Sequence, residues 1–225
     1  MLFRTVQVGL TAAAALALST VLVPTARAGR VSPVAPSFAP GSAAPVHLHY
    51  VVAPAGNEAR YRVREQLVGL DFPNDAVGVT HKITGGFVVD TSGRVVEDSS
   101  KLTIDVSVLK SDKDRRDKTV REKLMETGKF PTVDLVPTLI KGVGGLPPAS
   151  GAKPVEIQSN MTVKGITHPR VWHGTANFAG DDVTGTISTA FTWADIGMKQ
   201  PSVAIVLSVE DTIKLEYDFH FVKQK

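Results

Sequence analysis

The chain has 225 residues, 43% of them hydrophobic and 21% charged, a formal net charge of +3, and no cysteine. Without cysteine there can be no disulfide, no thiol nucleophile and no thiolate-bound metal, so packing alone must hold the fold. Two of the basic residues, Arg4 and Arg27, lie in an N-terminal segment that we expect to be removed. The remaining charges nearly balance, which argues against nucleic acid binding.

Residues 1–28 have the pattern of an export signal. Arg4 precedes an apolar run over 6–23, and Ala26-Arg27-Ala28 forms a small-x-small cleavage site. We therefore predict a signal peptide over 1–28, no membrane span after its removal, and a periplasmic or secreted protein. Residues 29–46 are rich in Pro, Ala and Ser and are expected to be a flexible linker, which leaves 47–225 as one domain.

The first strands of this domain carry two patterns with alternative readings. His47 and His49 share one face of an extended segment and are either the start of a metal site or ordinary strand residues; no third ligand is nearby, which favours the latter. Next, ARYRVREQL alternates apolar residues with arginines, so its basic face either holds an anion or is a solvated exterior, and we favour the exterior. Further on, Gly85-Gly86 indicates a bulge or bend of the kind that closes a barrel.

The stretch from 99 to 137 contains the one convincing helix of the domain. A strand places Leu102, Ile104, Val106 and Val108 on one face, and the period then becomes helical. Ser111 is expected to be the N-cap, and Gly128 is expected to end the helix. Because its apolar stripe is narrow, this helix must rest over, or plug the end of, an antiparallel β-structure.

Further strands follow the helix at short intervals, beginning with one in which Pro137 must lie at an edge or bulge. The total is eight or nine strands and one helix, an all-β barrel or sandwich, and short turns between consecutive strands favour an up-and-down barrel. The interior of an eight-stranded barrel is either filled by side chains or holds one elongated ligand.

Common catalytic signatures are absent from the sequence, including G-x-S-x-G, H-E-x-x-H, the P-loop and the dinucleotide fingerprint. His168 and His173 flank Trp172, but scattered polar residues do not make a triad, so we expect a protein that is not an enzyme and has no cofactor or metal. A small hydrolase and a solid-core structural module are the competing possibilities.

Several motifs occur in the order and spacing of a known family. They are Lys110-Ser111 and Arg116-Asp117 around the helix, Phe130-Pro131 before an apolar strand, Gly165-Ile166-Thr167-His168-Pro169, the segment 191–198, and the run 206–211. Across residues 48–222 the chain resembles the YceI-like family. One departure is NEARYRVREQLVG, which replaces the usual Asp…His-Ser strand motif. The ligand and the residues at the opening of the barrel are therefore allowed to differ from those of the family.

The resemblance implies a lipocalin-like, eight-stranded antiparallel barrel whose long apolar pore holds a polyisoprenoid or quinone-like lipid. It also implies an exported protein; a homodimer stays open. Strand parity gives the expected pore lining: Phe87, Leu102, Ile104, Val106, Leu124, Phe130, Trp172, Phe191, Trp193, Ile205 and Leu207. Arg116 and Arg121 are head-group candidates, although i,i+4 pairing of Asp117 with Arg121 explains the same charged cluster equally well.

Overall fold

The computed structural model describes residues 46–69, 71–143, 150–202 and 206–225. The signal peptide and the linker up to residue 45 lie outside this part of the chain. The strands are β1 (His47–Val52), β2 (Glu58–Leu67), β3 (Asn74–Thr80), β4 (Ile83–Asp90), β5 (Lys101–Asp105), β6 (Thr132–Lys141), β7 (Gly151–Val163), β8 (Ile166–Ala179), β9 (Asp182–Thr192) and β10 (Val206–Lys223). One short helix, α1 (Asp114–Thr119), continues into a π-helical turn (Val120–Leu124).

These ten segments form an eight-stranded antiparallel barrel. β1 and β2 are two parts of one long strand, as are β3 and β4, since β1 pairs with β4 and β2 pairs with β3. Pairing then runs in order from β4 through β10, and β10 closes the ring by pairing with both β1 and β2. The predicted all-β barrel with one short helix is thereby confirmed.

Antiparallel order places the connections at two ends of the barrel. The helix end comprises 68–69, 71–73, 106–131, 164–165 and 193–202, and it includes α1. The opposite end comprises 91–100, 142–143, 150 and 180–181, and the first residues of β1 and last residues of β10 lie there too.

The glycine pair in β4 lies where neighbouring backbones come very close. A Cβ on Gly85 would be 2.0 Å from the carbonyl oxygen of Lys101, and one on Gly86 would be 2.3 Å from that of Tyr50. Gly85 also has φ +108°, which disfavours any side chain. Pro137 lies at a register shift between β6 and β7, so it is accommodated at a bulge.

The helix begins and ends at other residues than the sequence predicts. Ser111 is not its N-cap, because the backbone N–H and the hydroxyl of Ser111 both donate to the Asp117 carboxylate, at 2.7 and 2.6 Å. The helix therefore starts at Asp114, with Lys113 before it, and the buried Asp117 carboxylate turns to Ser111. The helical backbone ends at Leu124, well before Gly128, and Glu126 takes the left-handed conformation at φ +51°.

Strand β5 is also shorter than its alternation predicts. It ends at Asp105, whose carboxylate accepts hydrogen bonds from the backbone N–H and hydroxyl of Ser107 and so starts a turn. The turn breaks the period of two, which leaves Val108 exposed and buries Leu109 instead.

Candidate functional site: cavities along the barrel axis

A main cavity of about 170 Å³ lies in the middle of the barrel. Inward-facing side chains line it because residues of each strand alternate between the interior and the exterior. Trp172, Phe191 and Trp193 form an aromatic wall, and the turn after α1 contributes Leu124 and Met125. The lining is almost entirely apolar.

Both indole rings of this wall have their polar edge satisfied by the protein. Trp172 donates from Nε1 to the hydroxyl of Ser159 at 2.9 Å, and both residues are buried. Trp193 donates from Nε1 to the backbone oxygen of Glu210 at 3.1 Å. What the rings offer to the cavity is therefore hydrocarbon surface, which suits an apolar occupant.

A second cavity of about 60 Å³ lies deeper, toward the opposite end. Leu135 and Tyr217 line both cavities and so lie at their boundary. The Tyr217 hydroxyl donates to Oδ1 of the buried Asn57 at 2.9 Å, and burial raises the pKa of Tyr217. In the wall of this cavity the rings of Phe87 and Phe221 pack edge to face, with centroids 5.1 Å apart.

A third cavity of about 200 Å³ opens at the helix end, between α1 and strands β2, β3 and β10. It shares part of its lining with the main cavity: Tyr61, Val63, Val120, Leu124 and Trp193. Its lining also includes four charged residues, namely Glu65, Lys113, Arg115 and Arg116, although most of its lining surface is apolar. Charged side chains therefore border the apolar interior at this mouth.

The two predicted head-group cations are engaged within the chain. Arg116 donates to Glu65 and also pairs with Asp112. Burial lowers the pKa of Arg116, but the hydrogen bonds to these carboxylates outweigh it and the net pKa is raised. Arg121 donates to the backbone oxygen of Leu109 at 2.9 Å.

The arginines of β2 face outward and are neutralised there. Arg60 pairs with Glu58, Glu216 and Asp218, while Arg62 and Arg64 both pair with Asp75. Their outer face is therefore a ladder of ion pairs on the barrel wall, in line with the preferred exterior interpretation.

The size of the main cavity limits what it can take as it stands. A cavity of about 150 Å³ accepts one benzene ring, so about 170 Å³ is room for one or two five-carbon units. A longer chain must extend into the neighbouring cavities, past Tyr217 and Leu135 on one side or Leu124 and Trp193 on the other. The resemblance implied one long pore; in the described part of the chain the main cavity shares part of its wall with each of the two other cavities inside the barrel.

A family model described as "YceI-like domain" matches residues 50–221, which is most of the chain. The chain belongs to the YceI-like family. Among curated proteins no significant match was found.

Several solved structures share this YceI-like fold. A polyisoprenoid binding domain from Saccharophagus degradans, implicated in plant cell wall breakdown, has 11% identity and a TM-score of 0.60, covering 79% of this chain and 99% of that chain. BcnA from Burkholderia cenocepacia has 14% identity and a TM-score of 0.52, covering 74% and 96%. The YCEI protein of Campylobacter jejuni has 12% identity and a TM-score of 0.53, covering 71% and 91%. At these identities the likeness concerns the fold alone.

Most residues expected to line the pore come together in the YceI-like barrel. The main cavity is lined by Ile104, Val106, Leu124, Trp172, Phe191 and Trp193, and the second cavity by Phe87 and Leu102. Phe130 lies outside all three cavities, near the turn at Gly165, because it precedes β6. Ile205 falls outside the described residues.

Leu207 does not line a cavity and is 66% exposed. The register of β10 against β2 explains this, since Val206 pairs with Leu67 and Ser208 already pairs with Gln66. Leu207 is the extra residue of this bulge, which reverses the parity that the sequence suggested.

Two inward-facing polar residues of β8, His168 and Arg170, were not among the expected pore residues. The guanidinium of Arg170 lies over the Phe191 ring, 4.5 Å from its centroid. Arg170 Nε and His168 Nε2 are both withdrawn from solvent, and within the described ranges neither has a hydrogen-bond partner. The sequence could have indicated this, because His168 and Arg170 alternate in step with Trp172 and so lie on the same face of the strand.

Two further properties concern the described ranges as a whole. No helix there is both long and apolar enough to cross a membrane. No three His, Asp or Glu side chains of those ranges come together as a metal site, and His47 and His49 lie in β1 as strand residues.

Proposed function

We propose that this YceI-like barrel binds a polyisoprenoid or a similar long amphiphile, such as a quinone-like lipid. The apolar chain would occupy the main cavity, and the polar end would lie toward the third cavity. The observation that carries the proposal is an apolar cavity around Trp172 and Phe191 that adjoins, at the helix end, a cavity bordered by Lys113 and Arg115. The polyisoprenoid binding described for the Saccharophagus degradans domain supports the same ligand class.

Hydrophobic burial is sufficient to drive such binding. One five-carbon unit contributes roughly 3–4 kcal/mol at about 0.8 kcal/mol per buried carbon, before the cost of ordering the chain. Affinity then needs few polar contacts, which fits a mouth where Arg116 and Arg121 are already engaged. Arg115 and Lys113, both exposed, are the better candidates to meet a polar end.

We further propose that the protein is exported through its signal at 1–28 and acts outside the cytoplasm as a carrier or sequestering protein, not as a catalyst. An exported carrier without cysteine keeps its fold in either redox environment. The binding role needs only the cavities and no reacting group.

Native mass spectrometry of freshly purified protein tests the proposal. If the protein is a carrier, its spectrum should show a discrete mass above that of the chain, and this extra mass should be released as a lipid on activation. Phe191→Asp places a carboxylate in the main cavity and should abolish this mass, whereas Ala190→Asp places the same charge on the exposed face of the same strand and should retain it. Folded protein that carries no lipid and takes up none would favour the structural module instead. Equal lipid retention in both variants would show that the lipid does not occupy the main cavity.

A further inference from the structure

Exposed large hydrophobic residues are concentrated at one end of the barrel. Of the seven in the described part of the chain, five lie at the helix end: Val68, Phe72, Val108, Ile166 and Leu207. Val171 lies on the outer wall, and Val46 precedes β1. Isolated exposed apolar residues are ordinary, but their clustering at the end of a barrel marks an interaction surface.

Three of these residues lie on the β2–β3 loop and at the adjoining start of β10. Val68 follows Leu67 at the end of β2, and Leu207 follows Val206, the residue of β10 that pairs with Leu67, so both lie within one residue of the same strand pair at the helix end. Phe72 lies in the loop at the tip of the β2–β3 hairpin, two residues before Asn74. We call Val68, Phe72 and Leu207 the apolar rim; their exposed fractions are 59%, 79% and 66%.

The apolar rim adjoins the mouth of the third cavity. Leu67 and Val206, the immediate neighbours of Val68 and Leu207, line that cavity together with Lys113 and Arg115. The exposed hydrocarbon of the rim therefore lies next to residues that line the interior.

The two ends of the barrel also differ in charge. The connections of the helix end carry ten basic and seven acidic side chains, while those of the opposite end, together with the C-terminal Lys223 and Lys225, carry three basic and three acidic. Arg115, exposed at the mouth, has no ion pair within the described ranges, and Lys113 approaches only the exposed Asp112, at 3.9 Å. The apolar rim is thus flanked by cations that are available to an external anion.

We propose that the helix end docks on an anionic phospholipid bilayer. The apolar rim would enter the boundary between headgroups and acyl chains, and Lys113 and Arg115 would meet lipid phosphates. Apolar side chains flanked by basic residues are the combination that holds proteins at such an interface. This surface goes beyond ligand binding, because it specifies where the mouth of the barrel faces when an amphiphile enters or leaves.

The absence of cysteine from the sequence allows a site-specific test with the full chain. An environment-sensitive fluorophore is attached at Phe72→Cys or, as the control at the opposite end, at Thr91→Cys. Vesicles contain phosphatidylcholine alone or phosphatidylcholine and phosphatidylglycerol in equal amounts, with brominated acyl chains as quencher. We expect a blue shift and quenching at position 72 with the anionic vesicles and no change at position 91.

Several results would overturn the proposal. One is an unchanged label at position 72 with anionic vesicles, and another is an equal response at position 91, which would indicate association through a different part of the chain. A response at 72 that depends on protein concentration without lipid would assign the rim to contact with a second copy. No cavity ligand is needed, so the outcome is independent of the native mass spectrometry.

A paired set of variants gives a second measurement. Phe72→Ser combined with Leu207→Ser should weaken vesicle association about tenfold, because two inserted side chains lose their burial. Val171→Ser removes an exposed apolar residue from the outer wall and should leave association unchanged. Equal effects of the rim pair and of Val171→Ser would contradict the docking surface.

Discussion

Arg116 of α1 and Glu65 of β2 form an ion pair that is nearly withdrawn from solvent, with side chains 12% and 9% exposed. The pair joins the helix to the barrel wall at the mouth of the third cavity, which both residues line. Arg116 also pairs with Asp112, but that side chain is 63% exposed. One guanidinium therefore has a buried and an exposed carboxylate partner.

Removing the buried partner should be far more costly than removing the exposed one. Glu65→Gln leaves the guanidinium without its buried counter-charge, and we expect a loss of about 3–5 kcal/mol in the free energy of unfolding. Asp112→Asn is the matched control and should cost less than about 1 kcal/mol, since water screens that pair. Urea unfolding measures both, and equal costs would show that the pair does not anchor α1.

Much of the fold could be predicted from the sequence because period-two alternation has a direct structural cause. Val63 lies between two arginines and Phe191 between an alanine and a threonine, so alternation predicted that both face inward. Gly85-Gly86 predicted a bulge or bend, and the structure shows a close approach of backbones there. The interior wall of Trp172, Phe191 and Trp193 follows from the same parity.

The remaining features depend on contacts that no local pattern contains. The helix begins at Asp114 because Ser111 donates its hydrogen bonds to the Asp117 carboxylate and does not cap the helix. The sequence alone does not show which partner Ser111 takes. Leu207 faces solvent because of a bulge against β2. Beyond a bulge, the residues that alternation predicts to face inward face outward, and the reverse. The position of Tyr217 between two cavities depends on Asn57, which is far away in sequence.

The boundary between the main and second cavities should determine the length of the ligand. Leu135 lines both cavities and pairs across the sheet with Leu102, which lines only the second. Leu135→Ala should join the two spaces and shift the retained lipid toward longer chains, at a cost of about 2–5 kcal/mol in stability.

Leu102→Ala is the control for that variant. It removes the same volume from a neighbouring buried position and should have a similar cost in stability, but it leaves the boundary in place. Native mass spectra of lipids co-purified with both variants make the comparison. If both retain the same lipid as the original protein, the boundary does not limit chain length.

Stability should fall at alkaline pH because Tyr61 is partly buried between the main and third cavities. Burial raises the pKa of Tyr61 from 10.0 to about 12, so the folded state holds the proton more tightly than the unfolded state does. This contribution is fully present below pH 10 and is lost as the pH rises through 12. A two-unit difference corresponds to about 2–3 kcal/mol.

Tyr61→Phe tests this dependence, because phenylalanine keeps the ring and cannot ionise. The variant should lose less free energy of unfolding between pH 10 and 12 than the original protein, as measured by urea unfolding at each pH. Part of the alkaline loss should persist, since burial also raises the pKa of Tyr217. Identical pH profiles would show that Tyr61 is as accessible when folded as when unfolded.

The hydrogen bond from Trp172 to Ser159 should hold the aromatic wall of the main cavity in place. Ser159→Ala leaves a buried indole N–H without its acceptor, and we expect a loss of about 1–3 kcal/mol with an altered tryptophan emission. Ser188→Ala on the outer face of β9 changes the same atoms in a more solvated position and should have little effect on either property. Because the ring borders the cavity, a displaced Trp172 should also weaken lipid retention, so intact emission and retention in Ser159→Ala would show that packing alone orients the ring.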